Sequence, residues 1–138
     1  MTSGELLVDT SVAVPLVLAD HEAHEETISE LHDERLGLSG HAWFETYSVL
    51  TRLPPGARRP PEVVQVLLQT DFPVSRFLDA AACAELSAEM AQLGIAGGAV
   101  YDALVGATAR AHGLPLLSRD RRARATYEKL GVDVRLLG

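Results

Sequence analysis

Residues 6–12 read LLVDTSV: a short apolar run stops at a carboxylate, Asp9, and passes through two hydroxyls, Thr10 and Ser11, before apolar residues resume. In a parallel α/β protein this pattern marks a buried strand whose C-terminal end delivers an acid into the crevice where such folds bind ligands. An Asp between a strand and a helix is also an ordinary N-cap, satisfying the first free N–H groups of the helix. The choice between cap and ligand depends on where the other acids fall.

Working outward, residues 5–8 read as the first strand and 12–18 as a short helix with Pro15 in its first turn. A polar helix follows over 21–33, with Ala23, Thr27, Ile28 and Leu31 as its inner stripe. His21, His24 and Glu25 in this helix lack a third well-placed soft ligand for zinc. A brief second strand covers 36–39, and 41–53, HAWFETYSVLTRL, is a helix apolar on most sides. Its narrow polar stripe carries Glu45, Ser48 and Arg52. The loop PPGARRPP at 54–61 is rigid and presents Arg58 and Arg59.

Residues 62–68 form a short helix, 74–78 a third strand, and Asp79 caps an alanine-rich helix over 80–93 that is expected to bury Cys83. Gly94, Gly97 and Gly98 lack the spacing of a phosphate loop and read as a helix end and turn. The helix over 98–112 is apolar almost all round, with Asp102 its single acid. A carboxylate among small and apolar groups is costly unless paired, hydrogen-bonded or bound to a cation; in the first turn it also complements the helix dipole. A fourth strand, 114–118, ends in Ser118, Arg119 and Asp120 and repeats the opening design. A helix over 121–130 and a last strand over 132–137 close the chain. Strands alternating with helices imply a mainly parallel sheet with helices on both faces, an α/β class in one domain covering residues 1–138.

Composition narrows the class further. The 138 residues are 47% hydrophobic and 22% charged, which suits a globular domain able to fold without staples. One cysteine forbids an internal disulfide and suits a reducing cytoplasm. No secretory leader or membrane span is legible. The net charge of −7 argues against avid, sequence-blind binding of nucleic acid. Its distribution is uneven: residues 20–34 carry seven acids and no Lys or Arg, whereas 110–129 carry six basic residues against Asp120 and Glu128. One end of an acidic molecule can therefore attract a polyanion.

Acids that end two parallel strands, Asp9 and Asp120, emerge on the same side of the sheet. If Glu45 and Asp102 project there from their helices, four carboxylates share one pocket and raise one another's pKa. A divalent cation resolves the conflict, and oxygen-only ligands select Mg²⁺, with Mn²⁺ as a substitute. Metal-bound water supplies a nucleophile, so phosphodiester hydrolysis follows. In this reading Thr10 and Ser11 cap the first helix and leave the Asp9 carboxylate free for the metal.

The set LLVDTSV, HAWFETYSVLTRL, AVYDALVGATA and LPLLSRDRRA resembles the PIN-domain ribonucleases, and the short single-domain length resembles the VapC-type toxins of toxin–antitoxin pairs. The resemblance implies a three-layer α/β/α fold with Asp9, Glu45, Asp102 and Asp120 as catalytic and metal-site acids, oriented by Thr10, Ser11 and Ser118. It further implies Mg²⁺-dependent endonucleolytic cleavage of RNA, homodimers, and a small antitoxin protein that blocks the site. Some relatives carry a further acid just after the fourth; here Arg121 and Arg122 stand in its place. Together with Arg52, Arg119 and Arg124 they are candidates to hold RNA phosphates, against the alternative of a solvated helix face.

Two other functions remain open on sequence. An aspartyl-phosphate phosphotransferase using Asp9 as nucleophile wants a second acid two residues on, where this chain has Ser11. A non-catalytic module that keeps the fold for protein interaction is the other.

Overall fold

The computed structural model describes residues 4–138. Four strands, β1 (Glu5–Val8), β2 (Arg35–Leu38), β3 (Leu116–Ser118) and β4 (Val134–Leu136), lie in the order β2-β1-β3-β4, and every pairing is parallel. β1 is buried from Leu6 onward and β3 throughout, as strands covered on both faces must be. Register pairs Leu7 with Gly37 on one side and with Leu116 on the other. This is the α/β class expected, with helices layered on both sides of the sheet.

Seven helices connect and flank the strands: α1 (Thr10–Val17), α2 (His24–Leu31), α3 (His41–Thr51), α4 (Pro61–Asp71), α5 (Ala80–Leu93), α6 (Ala99–Ala111) and α7 (Arg124–Lys129). From β1 the chain crosses to β2 on one side, whereas β3 crosses to β4 on the other. The strand order therefore reverses between β1 and β3, and a crevice opens above their carboxyl ends at that switch point. Asp9 follows β1 directly, and Asp120 lies two residues beyond β3.

Several sequence expectations need correction. Helix α1 starts at Thr10, two residues early, because Asp9 itself is the N-cap: its side chain accepts from the Ser11 N–H. Pro15 thus falls in the second turn. Helix α2 is shorter than 21–33, since the His21 ring takes the Ala23 N–H and holds the preceding residues in a turn. Of its inner stripe, Thr27 and Leu31 are buried but Ile28 is exposed. The ring of His24 is tied to the Pro15 carbonyl, which gives it a packing role between α1 and α2.

Residues 74–78 are not a strand. They run beside β2, with Val74 and Arg76 N–H groups on the Leu36 and Leu38 carbonyls, but only one bridge forms, between Ser39 and Arg76. The reason is local: the Leu38 N–H goes to the Ser75 hydroxyl instead of a backbone carbonyl, which interrupts the ladder. Gly37 permits this close pass, since a Cβ there would sit 2.3 Å from the Val74 backbone. Cys83 is exposed, not buried, because α5 buries only Leu86 and lies at the periphery.

Candidate functional site

The crevice at the switch point is lined by Asp9, Thr10, Ser11, Glu45, Asp102, Val105, Asp120 and Tyr127, and has a volume of about 250 Å³. The four acids singled out from sequence thus line one pocket, with Thr10 and Ser11 among them. Asp9 comes from the end of β1, Glu45 from α3, Asp102 from the first turn of α6 and Asp120 from the turn after β3.

Asp9 is 5% exposed and held by four donors. Its Oδ1 accepts from the Ser11 backbone N–H at 3.0 Å and the Ser11 hydroxyl at 2.5 Å. Its Oδ2 accepts from the Ser118 hydroxyl at 2.5 Å and the Tyr127 hydroxyl at 2.9 Å. A carboxylate has about four acceptor positions, so these donors occupy the whole group. The expectation that Thr10 and Ser11 free Asp9 is therefore overturned: Asp9 caps α1, and direct ligation of a cation requires one donor to turn away. Ser11 Oγ and Ser118 Oγ also accept the Arg119 and Asp120 N–H groups, so two hydroxyls lock the ends of β1 and β3 together.

Burial pushes the Asp9 carboxyl up, against the pull of its Ser11, Ser118 and Tyr127 hydrogen bonds. Asp102 is also raised, first by burial and then by the charges of Asp120, Asp9 and Glu45, with Arg122 opposing. That repulsion is the electrostatic signature of acids sharing one space. Tyr127 is pushed far up by burial and by Asp9, so it stays a protonated donor. Glu45 accepts from the Thr10 hydroxyl at 2.9 Å, and Asp120 Oδ1 accepts from the Arg122 N–H and caps the turn before α7.

Among the described residues, no three His, Cys, Asp or Glu side chains are drawn together into a formed metal cage. The donor set nonetheless fits a hard divalent cation: oxygen only, acidic, half-open, and mutually repulsive without a counter-charge. All four acids line the pocket; Glu45, Asp102 and Asp120 keep acceptor capacity there, whereas the Asp9 oxygens already hold four donors.

The arginines divide. Arg119 turns away: its guanidinium bonds Thr27 Oγ1 at 2.7 Å and lies 3.7 Å from Glu30, so it braces α2 instead of facing substrate. Arg52 bonds Ser48, and Arg124 pairs with Glu128 on its own helix. Arg58 and Arg59 line a separate cavity with Leu18 and His21, away from the acids. Arg121 and Arg122 are exposed, and Arg122 lies 3.6 Å from Asp120 at the rim of the site.

Tyr127 is the residue sequence reading missed. Its only trace in the sequence is one aromatic on a short polar helix, which reads as ordinary core. Gly106 makes room for it, since a Cβ there would meet the Tyr127 ring at 2.8 Å.

Four acids in a crevice at the switch point of a parallel sheet define an α/β protein with an acidic crevice site, and similarity to known proteins resolves the class. The PIN domain signature matches residues 6–129, so the chain belongs to the PIN domain family. It is 46% identical over 129 residues to ribonuclease VapC27 of Mycobacterium tuberculosis, with 94% of each chain covered. Ribonuclease VapC40 of the same organism is 47% identical over 131 residues, covering 94% of this chain and 96% of that protein. The fold matches VapBC2 from Rickettsia felis bound to a DNA fragment from their promoter, with TM-score 0.68 over 98% of this chain and 100% of that one. At 13% identity this last likeness speaks for the fold alone.

Proposed function

We propose that this protein is a Mg²⁺-dependent endoribonuclease toxin, held inactive by a small antitoxin protein. The observation that carries the reading is the pocket in which Asp9, Glu45, Asp102 and Asp120 meet, with Asp102 raised by burial and then by the other three charges. The ribonuclease names of relatives at 46% and 47% identity support the reaction class. The antitoxin partner rests on the VapC-type resemblance of the sequence and on the VapC names of those same relatives.

Glu45, Asp102 and Asp120 would hold the cation, with Asp9 ordering the β1 and β3 ends beneath them. Bound Mg²⁺, or Mn²⁺ in its place, would neutralise phosphodiester charge and activate a water molecule. Thr10 orients Glu45 through its hydroxyl, and Ser118 fixes Asp9 while accepting the Asp120 N–H. Arg122, 3.6 Å from Asp120, would meet a substrate phosphate at the rim, and the exposed Arg121 beside it in sequence would add a second positive charge. A homodimer and a cytoplasmic site of action complete the proposal; no helix among the described residues is long and apolar enough to cross a membrane.

The phosphotransferase reading loses ground on geometry, because the Asp9 oxygens are buried and already hold four donors, leaving no free nucleophile. The non-catalytic module is separated by experiment. Asp9→Asn is expected to lower Mg²⁺-dependent cleavage of a single-stranded RNA pool roughly a hundredfold, the upper range for disturbing a metal-site support. Equal cleavage by both proteins would refute the metal-site assignment, and no cleavage by wild type would favour the interaction module.

A further inference from the structure

A second cavity, about 490 Å³, adjoins the acidic pocket and shares Glu45, Asp102 and Asp120 with it. It adds His41, Tyr101 and Arg122 to the wall. His41 and Tyr101 are stacked, with ring centroids 4.9 Å apart and planes 29° apart, yet Tyr101 remains 55% exposed. The pair therefore presents a fixed aromatic face to solvent at the edge of the cavity. The volume falls within the range of small-ligand sites, roughly 300–1,000 Å³.

The placement is specific. Tyr101 immediately precedes Asp102, and Arg122 lies beside Asp120, so an aromatic face and a cation flank the carboxylates that would meet the scissile phosphate. A base stacks on an aromatic ring whatever its identity, and a guanidinium pairs with the phosphate of the same nucleotide. We infer that this annex is a nucleotide subsite, in which the base next to the cleaved bond stacks on the His41–Tyr101 pair while Arg122 holds its phosphate. The inference rests on the ribonuclease reading and adds a substrate-binding residue, Tyr101, that no acid motif predicts.

The test uses the full chain with Mg²⁺ and an oligoribonucleotide recovered as a cleaved sequence from a random pool. Tyr101→Ala raises KM about tenfold, within the range for loss of one base–aromatic stack, and leaves kcat little changed. Tyr101→Phe restores the wild-type KM, because the ring and not the hydroxyl is used. On the same RNA carrying an abasic residue at the stacked nucleotide, wild type and Tyr101→Ala have equal KM. An unchanged KM in Tyr101→Ala, or a KM gap that persists on the abasic RNA, overturns the stacking subsite even if cleavage is robust. Weaker binding of the antitoxin with RNA kinetics unaltered overturns it too, in favour of a protein contact. If wild type cleaves nothing, the ribonuclease reading falls first and the subsite falls with it.

Discussion

The Tyr127 hydroxyl donates to Asp9 Oδ2 across 2.9 Å, joining a residue of the last helix to the end of the first strand. The contact is buried, and it shares Oδ2 with the Ser118 hydroxyl. Tyr127 therefore helps fix the orientation of Asp9, much as an outer-sphere donor fixes a metal ligand.

We predict that Tyr127→Phe keeps the fold but weakens apparent Mg²⁺ affinity about tenfold, as expected for removal of one supporting donor. Stability should fall by about 1 kcal/mol for the missing buried hydrogen bond. Cleavage measured across a Mg²⁺ titration, together with urea unfolding, checks both effects. A Mg²⁺ dependence identical to wild type would remove Tyr127 from the site's support.

The position of Tyr127 depends on Gly106. A methyl group there meets the Tyr127 ring at 2.8 Å and Val132 at 3.1 Å, so Gly106→Ala should destabilise by roughly 1–3 kcal/mol through overpacking. Cleavage should fall in the same variant as the ring is displaced from Asp9. A gain in stability, which the better helix propensity of alanine would give on an open helix face, would show that the ring moves freely.

Acidity gives a third prediction. Burial and the charges of Asp120, Asp9 and Glu45 raise Asp102, so between the ordinary carboxylate value and its raised one the folded metal-free protein holds a proton there that the unfolded chain has released. Stability from this group is thus fully present below the ordinary carboxylate value and is lost as pH rises from there through the raised value. Metal-free Asp102→Asn should be more stable than wild type at pH 7, with the gap closing as pH falls toward the ordinary carboxylate range, about pH 4. Added Mg²⁺ should raise the wild-type Tm more at pH 7 than at pH 5, because protons compete with the cation. A stability gap independent of pH would contradict the charge coupling.

The arginines separate by role. Arg119→Ala should cost about 1 kcal/mol in stability, because its hydrogen bond to Thr27 and its pairing with Glu30 disappear, and leave the salt dependence of RNA binding unaltered. Arg121→Ala with Arg122→Ala should leave stability near wild type and reduce the salt slope by about 0.7 for each phosphate no longer neutralised. The reverse pattern, with a changed slope for Arg119→Ala alone, would place the wrong arginine on the substrate path.

The sequence by itself determined the parallel α/β class, because apolar runs ending in acids and alternating with amphipathic helices admit few other arrangements. It also marked Asp9 and Asp120 as acids ending apolar strands, Glu45 as the acid on the narrow polar stripe of a mostly apolar helix, and Asp102 as the single acid of another. Only the tertiary structure decided how those acids are held. Hydrogen bonds between residues more than a hundred positions apart, Ser118 and Tyr127 to Asp9, leave no periodic trace in the chain. The same limit explains residues 74–78, where one serine hydroxyl interrupts a strand that local propensity favours, and Arg119, whose direction is set by Thr27 and Glu30 on a distant helix. Local pattern fixes which face a residue occupies, whereas the partner it meets there depends on how separate elements pack.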